Sequence, residues 1–195
     1  MSDPLRPYWD FDDLDATEQR FRDLRAEALT QLARVQGMRG HFEEGDRLLD
    51  EIGEQTARVR VRVDLERGRL RRSSGDKEAA LPLFERAFAA AQAAGEDWLA
   101  ADAAHMAALA APDRDGFVAW TKRGLELAAR LDPAAYWEGP LLNNLGWEHF
   151  EAEEYEQALA VFERALEVRE RDPENTAAIA HAREAVAEAK KALGR

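Results

Sequence analysis

At 195 residues, with 46 % apolar and 34 % charged side chains, the chain is long enough for one domain or for one array of small repeated units. The absence of cysteine excludes disulfides, thiolate metal sites and cysteine nucleophiles. A net charge of −12 argues against generic affinity for nucleic acid, which is driven by surplus positive charge.

The opening residues, MSDPLRPYWDFDD, hold no apolar run behind a basic head, so no secretory leader is expected. No stretch approaches the roughly 18 consecutive apolar residues that mark a membrane span, and a cytoplasmic protein is the default expectation. Of the 27 basic residues, 23 are arginine and four are lysine. With the abundant alanine, that skew suits a GC-rich bacterial gene, so part of the arginine density is coding background.

Residues 1–25 are expected to form an aromatic arm and a short helix. In the arm, Pro7-Tyr8-Trp9-Asp10-Phe11 either docks its rings on the first helices or presents them to a partner. The helix spans Asp15 to Arg25, with Phe21 and Leu24 on one face. From there to Pro173, Ala, Leu, Glu and Arg dominate, all strong helix formers. Breakers fall at Gly40, Gly53, Ser73-Ser74-Gly75, Gly95, Pro112 to Gly116, Asp132-Pro133, Gly139-Pro140 and Asp172-Pro173. Short helices joined by short turns predict antiparallel pairs. After Asp172-Pro173, Asn175 is a plausible N-cap. Ile179, Ala182, Val186, Ala189 and Leu193 then form one apolar stripe, as expected of a capping helix over 174–195.

The segment between repeats itself. Gly146 is followed at offsets of 12, 4 and 3 by Ala158, Phe162 and Ala165. The same offsets give Gly68, Ala80, Phe84 and Ala87, and also Ala33, Gly45, Leu49 and Ile52. A degenerate copy runs His105, Phe117, Thr121 and Gly124, and successive copies start 35, 37 and 41 residues apart. Small residues let the two helices of a hairpin approach closely, and the aromatic is expected to fill the gap between hairpins.

This pattern resembles the tetratricopeptide repeat, a helix-turn-helix unit of about 34 residues. The resemblance covers about 26–173 and is strongest at the turns SSGDKEAAL and AEEYEQALA. It is weakest where His105 and Phe117 replace small residues. It implies an all-α fold in one continuous domain: four hairpins stacked as a right-handed superhelical α-solenoid, closed by the capping helix.

No catalytic motif is visible, and an enzyme is not expected. His41, His105, His149 and His181 show no paired metal-ligand spacing, so no metal or cofactor is expected. Asp102 and His105 lie one helical turn apart and suit a structural pair. There is no glycine-rich phosphate loop and no GxSxG elbow.

In the resembled family, first helices of the hairpins line a concave groove that holds a peptide. Carried onto this sequence, the groove places are Thr30 and Arg34; Arg62, Leu65, Arg69 and Arg72; Asp102, Met106 and Leu109; and Asn143 and Trp147. The expected binding set is Arg34, Arg62, Arg69, Asp102, Met106, Asn143 and Trp147. Such a set suits an acidic or aromatic peptide through bidentate arginine–carboxylate bonds and stacking. The family's carboxylate clamp is not expected, because its places hold Thr30 and Arg34, then Leu99 and Ala103. Adjacent Asn143-Asn144 is unusual inside a helix; it serves either a ligand backbone or a bond to a neighbouring helix.

The stretch RVRVRVDLERGRLRR, residues 58–72, carries seven arginines against two acids. Its alternating valines suggest a strand, but the repeat register makes it a helix with Arg58, Arg62, Arg69 and Arg72 on one stripe. Arg60, Arg67 and Arg71 form the opposite stripe. Asp64, Arg67 and Arg71 take places the family fills with apolar groups, so either the helix is rotated or these charges find partners. Three functions follow from the sequence. The leading one is a non-enzymatic module that binds a protein or peptide segment. The second is a regulator that senses a small ligand or signalling peptide in the same groove. The third, nucleic-acid association through 58–72, is opposed by the overall charge. Neither a membrane nor a nucleic-acid partner is expected, and self-association through an exposed repeat face is compatible with all three.

Overall fold

The computed structural model describes residues 3–53, 56–131 and 136–195. Among the described residues, regular structure is entirely helical: a 3-10 turn at Arg6–Tyr8 and nine α-helices. In chain order the helices are α1 (Leu14–Met38), α2 (Phe42–Asp50), α3 (Ala57–Ser73), α4 (Lys77–Ala93) and α5 (Asp97–Ala110). They continue with α6 (Arg114–Ala128), α7 (Glu138–Glu151), α8 (Tyr155–Arg169) and α9 (Thr176–Ala192). The chain forms two compact units, Met1–Glu96 with α1–α4 and Asp97–Arg195 with α5–α9. Consecutive helices pack as hairpins, α1 with α2, α3 with α4, α5 with α6 and α7 with α8, and α9 covers α8.

Most of the expected breakers separate helices, with Gly40, Gly75 and Gly95 at positive φ in the turns. Gly139-Pro140 is an exception. Both residues sit in the first turn of α7, where a proline has no intrahelical N–H bond to lose. Asp132-Pro133 lies outside the described residues.

In the first unit, α1 is one helix of 25 residues. No glycine or proline interrupts it before Gly37, so the helix expected at 15–25 runs without a break into the first repeat helix. Asp13 caps it, its carboxylate accepting from the Ala16 N–H at 2.9 Å. The aromatic arm folds back on its first turns. Tyr8 and Trp9 lie 5.9 and 5.5 Å from Phe21, centroid to centroid. Thr17 Oγ1 both accepts from the Asp10 N–H and donates to the Asp10 carbonyl, at 2.8 and 2.9 Å. Trp9 and Phe11 stack on each other and stay partly exposed.

The alternating valines belong to α3, not to a strand. Val59, Val61 and Val63 are all buried, as are Leu65, Gly68 and Leu70, so α3 is covered on two sides. Val59, Val63 and Leu70 join Ala26, Ala33, Leu49 and Ile52 in the core between α1, α2 and α3. On the other side Gly68 faces Phe84 of α4 so closely that a Cβ there would lie 2.5 Å from the ring.

The second unit repeats the device. A Cβ on Gly146 of α7 would run into the ring of Phe162 on α8. The ring therefore fills the space over the glycine of its own hairpin. Phe162 also reaches the next helix, through Ala185, Val186 and Ala189 of α9. In the degenerate copy the two volumes are exchanged: His105 stands at the glycine place and the buried Thr121 at the phenylalanine place. Asn175 caps α9, accepting from the Ala178 N–H at 3.3 Å, and the predicted stripe from Ile179 to Ala189 is buried.

Candidate functional site

The basic stripe of α3 meets α1 through a ladder of ion pairs. Its centre is Glu66, only 1 % exposed. Arg34 of α1 binds it with both arms of the guanidinium, at 2.9 and 2.5 Å, and Arg69 adds a third bond at 2.8 Å. Two bonds from a planar fork fix a carboxylate more firmly than a single contact. Toward the N-terminal end of α3, Glu27 of α1 accepts from Arg58 at 2.9 Å and lies 3.4 Å from Arg62. Arg58 also pairs with Glu96. Arg34, Arg58, Arg62 and Arg69 thus line one face of α1 and α3, each beside a carboxylate. The pairs with Glu27 and Glu96 hold the Arg58 guanidinium above its ordinary pKa.

Arg34 and Arg69, expected as ligand contacts, are therefore anchored on a buried carboxylate. Arg58 is the most open of the four, 45 % exposed, and Arg62 lies beside it with 16 % of its side chain exposed. Glu66 was missed in the sequence, although it lies one turn from both Arg62 and Arg69, the spacing at which helical charges meet. The opposite stripe pairs with α2. Arg67 binds Asp50 at 2.6 Å, Arg71 binds Asp46 at 2.5 Å, and Asp64 takes Arg86 of α4 at 2.7 Å. The charges at apolar places are thus neutralised across helices, with no need to rotate α3.

In the second unit, Asp102 and Met106, expected in the groove set, are buried, at 2 % and 8 % exposure. Trp147 packs edge-on against Phe150 and Phe162, with centroids 5.4 and 5.1 Å apart, so it serves the core. Asn144 Nδ2 hydrogen-bonds His105 Nε2 at 2.9 Å, tying α7 to α5; this is the structural alternative for that amide. Asn143, one position earlier, lines a cavity of about 290 Å³ with Tyr136, Arg169, Asn175, His181 and three alanines. Thr30, at the clamp place, is buried and donates its hydroxyl to the Glu27 carbonyl at 2.7 Å.

The acidic turn between α7 and α8 is pinned rather than free. Glu154 accepts from Arg114 Nη1 of α6 at 2.9 Å and lies 2.6 Å from His149 Nδ1. Arg114 first, and His149 second, hold its carboxyl at about 2, well below the usual range. Among the described residues, no group of three His, Asp or Glu side chains is placed to hold a metal ion. No helix among them is long and apolar enough to cross a membrane.

A family model for the tetratricopeptide repeat matches residues 141–171, which span α7, its turn and α8. No curated protein matches this sequence. Among solved structures, BtubC (BKLC) from P. vanneervenii is similar with a TM-score of 0.77 and 20 % identity, over 91 % of this chain and 76 % of that one. A putative kinesin light chain from Podosopora anserina with nearly identical TPR-like repeats gives 0.67 and 16 % identity, over 87 % of both chains. A point-substituted form of that protein gives the same values. At these identities the likeness is one of fold: this is a helical solenoid of tetratricopeptide type, an architecture that generally serves protein–protein interaction.

Proposed function

We propose that this tetratricopeptide-like chain is a non-enzymatic module that captures an acidic segment of a partner protein on the α1/α3 face. The observation that carries the reading is the placement of Arg58 and Arg62, both held by Glu27, with the Arg58 side chain 45 % exposed. An incoming carboxylate therefore finds guanidinium groups already positioned. Preorganised charge of this kind favours association more than it costs, because the side chains are held before the partner arrives. Arg58 and Arg62 are the contacts, while Arg34 and Arg69 support them through Glu66. Of the wider set expected from sequence, Asn143 belongs to a separate contact on α7.

The test is capture from native cell extract by the wild type and by the Arg58→Ala/Arg62→Ala double variant. Neither side chain belongs to an apolar core, so the melting temperature should change little. Capture of a partner by the wild type, lost in the variant and weakened by salt, is expected. Undiminished capture by the variant would remove this face from the mechanism. A second reading, a small acidic ligand, draws on the cavity beside Asn143.

A further inference from the structure

The cavity between α7, α8 and α9 is built around one cation. Arg169, in the last turn of α8, lies against the first turn of α7. Gly139 makes this position available: a Cβ there would lie 2.6 Å from Arg169 Nε and 2.8 Å from its Cζ. The guanidinium also sits 5.4 Å from the centroid of the Tyr136 ring. Other basic residues of α8, its following turn and α9 are ion-paired. Arg164 and Arg171 share Glu138 at 3.0 and 3.1 Å, and Arg183 binds Glu170 at 2.7 Å. Among the described residues, Arg169 has no carboxylate within ion-pair distance.

Its placement is electrostatically costly as it stands. The first turn of a helix is the positive end of its dipole, where a cation is disfavoured and an anion is favoured. The first turn of α9 opens on the same cavity through Asn175 and Ala178, bringing a second positive helix end. The lining supplies amides from Asn143 and Asn175, an imidazole from His181, an apolar floor from Ala165, Ala178 and Ala182, and no acid. At about 290 Å³ the space takes one side chain or a small organic acid rather than a drug-sized ligand.

We infer that this cavity is a carboxylate-binding subsite, with Arg169 as the charge partner and Asn143 as a hydrogen-bonding wall. This deepens the interaction reading by giving the partner a second acidic anchor on the α7–α9 end. It does not use Arg58 or Arg62, so the two can fail separately.

The probes are N-acetyl-Gly-Glu-Gly-amide, its Gln counterpart and glutarate, titrated into the full chain and followed by two-dimensional amide NMR. The Glu tripeptide should shift resonances of Gly139, Asn143 and Ala178 saturably, and the Gln tripeptide should not. Arg169→Gln should weaken binding about tenfold or more, the loss expected for one charge-assisted pair. Asn143→Leu, which keeps Arg169, is expected to weaken it as well, and covers the case in which Arg169→Gln folds poorly. Binding of glutarate alone upholds the carboxylate subsite and assigns it to a free acid, against a peptide source. No saturable shift with either acid, equal binding of the Gln tripeptide, or full binding by both variants overturns the subsite.

Discussion

Replacing Gly68 by alanine sets two effects of opposite sign against each other. In an ordinary helix interior, alanine is favoured over glycine by about 1 kcal/mol. At Gly68 the new methyl would lie 2.5 Å from Phe84 Cε1 and 2.8 Å from Cδ1 and Cζ. Phe84 is fully buried, at 0 % exposure, so its ring cannot swing into solvent to make room. Overpacking a closed core costs about 1–3 kcal/mol, and a contact this short against a rigid ring belongs at the upper end. The net expectation is a loss of about 2 kcal/mol. Chemical denaturation with urea, followed by circular dichroism, measures it. The Phe84→Leu partner should cost about 1 kcal/mol alone, and the double variant should be more stable than the sum of the two, because the smaller side chain admits the methyl. A gain in stability for Gly68→Ala would refute the register, since it would mean that the helices do not close on this residue.

Three further outcomes follow from the same structure. Glu66→Gln keeps the shape but leaves the guanidinium groups of Arg34 and Arg69 without this counter-charge; water reaches Arg34, so the cost should be about 2 kcal/mol rather than the full penalty of a broken buried pair, read by urea denaturation. Glu153 takes the left-handed conformation, φ 60°, at the turn place that Gly40 and Gly75 occupy in the other hairpins. Glu153→Gly should therefore raise stability by about 0.5–1 kcal/mol, measured as a higher melting temperature. Glu154 has a folded-state pKa of about 2, below its unfolded value near 4.3. Its contribution is complete above the unfolded value and is lost as pH falls from about 5 toward 2, so melting temperature against pH should fall less steeply in that window for Glu154→Gln.

The repeat geometry was readable because close packing leaves a compositional mark. Gly68 with Phe84, and Gly146 with Phe162, must be small and large at fixed spacing for two helices to close. The cap at Asn175 and the stripe of α9 were readable for similar local reasons. The division at residue 25 did not hold as a structural break, since nothing between Leu14 and Gly37 stops a helix. The groove set was only partly readable. Arg34 and Arg69 were placed on the correct face, but their commitment to Glu66 depends on a side chain of α3 turning inward between two helices. Asp102, Met106 and Trp147 share the repeat phase of open residues, yet they are buried or packed on aromatics. Arg169 gave no local signal, because its surroundings are assembled from the start of α7, the end of α8 and the start of α9. The adjacent Gly139-Pro140 was the nearest trace, read as a break between helices rather than as room for a guanidinium.

Site-specific photocrosslinking tests the interaction face most directly. A benzoylphenylalanine introduced at the exposed Gln31 of α1, one turn from both Glu27 and Arg34, is compared with one at the exposed Glu85 on α4. A discrete partner adduct from position 31, reduced by high salt and absent from position 85, is the predicted result. An adduct of equal strength from both positions, or from 85 alone, would contradict capture on the α1/α3 face.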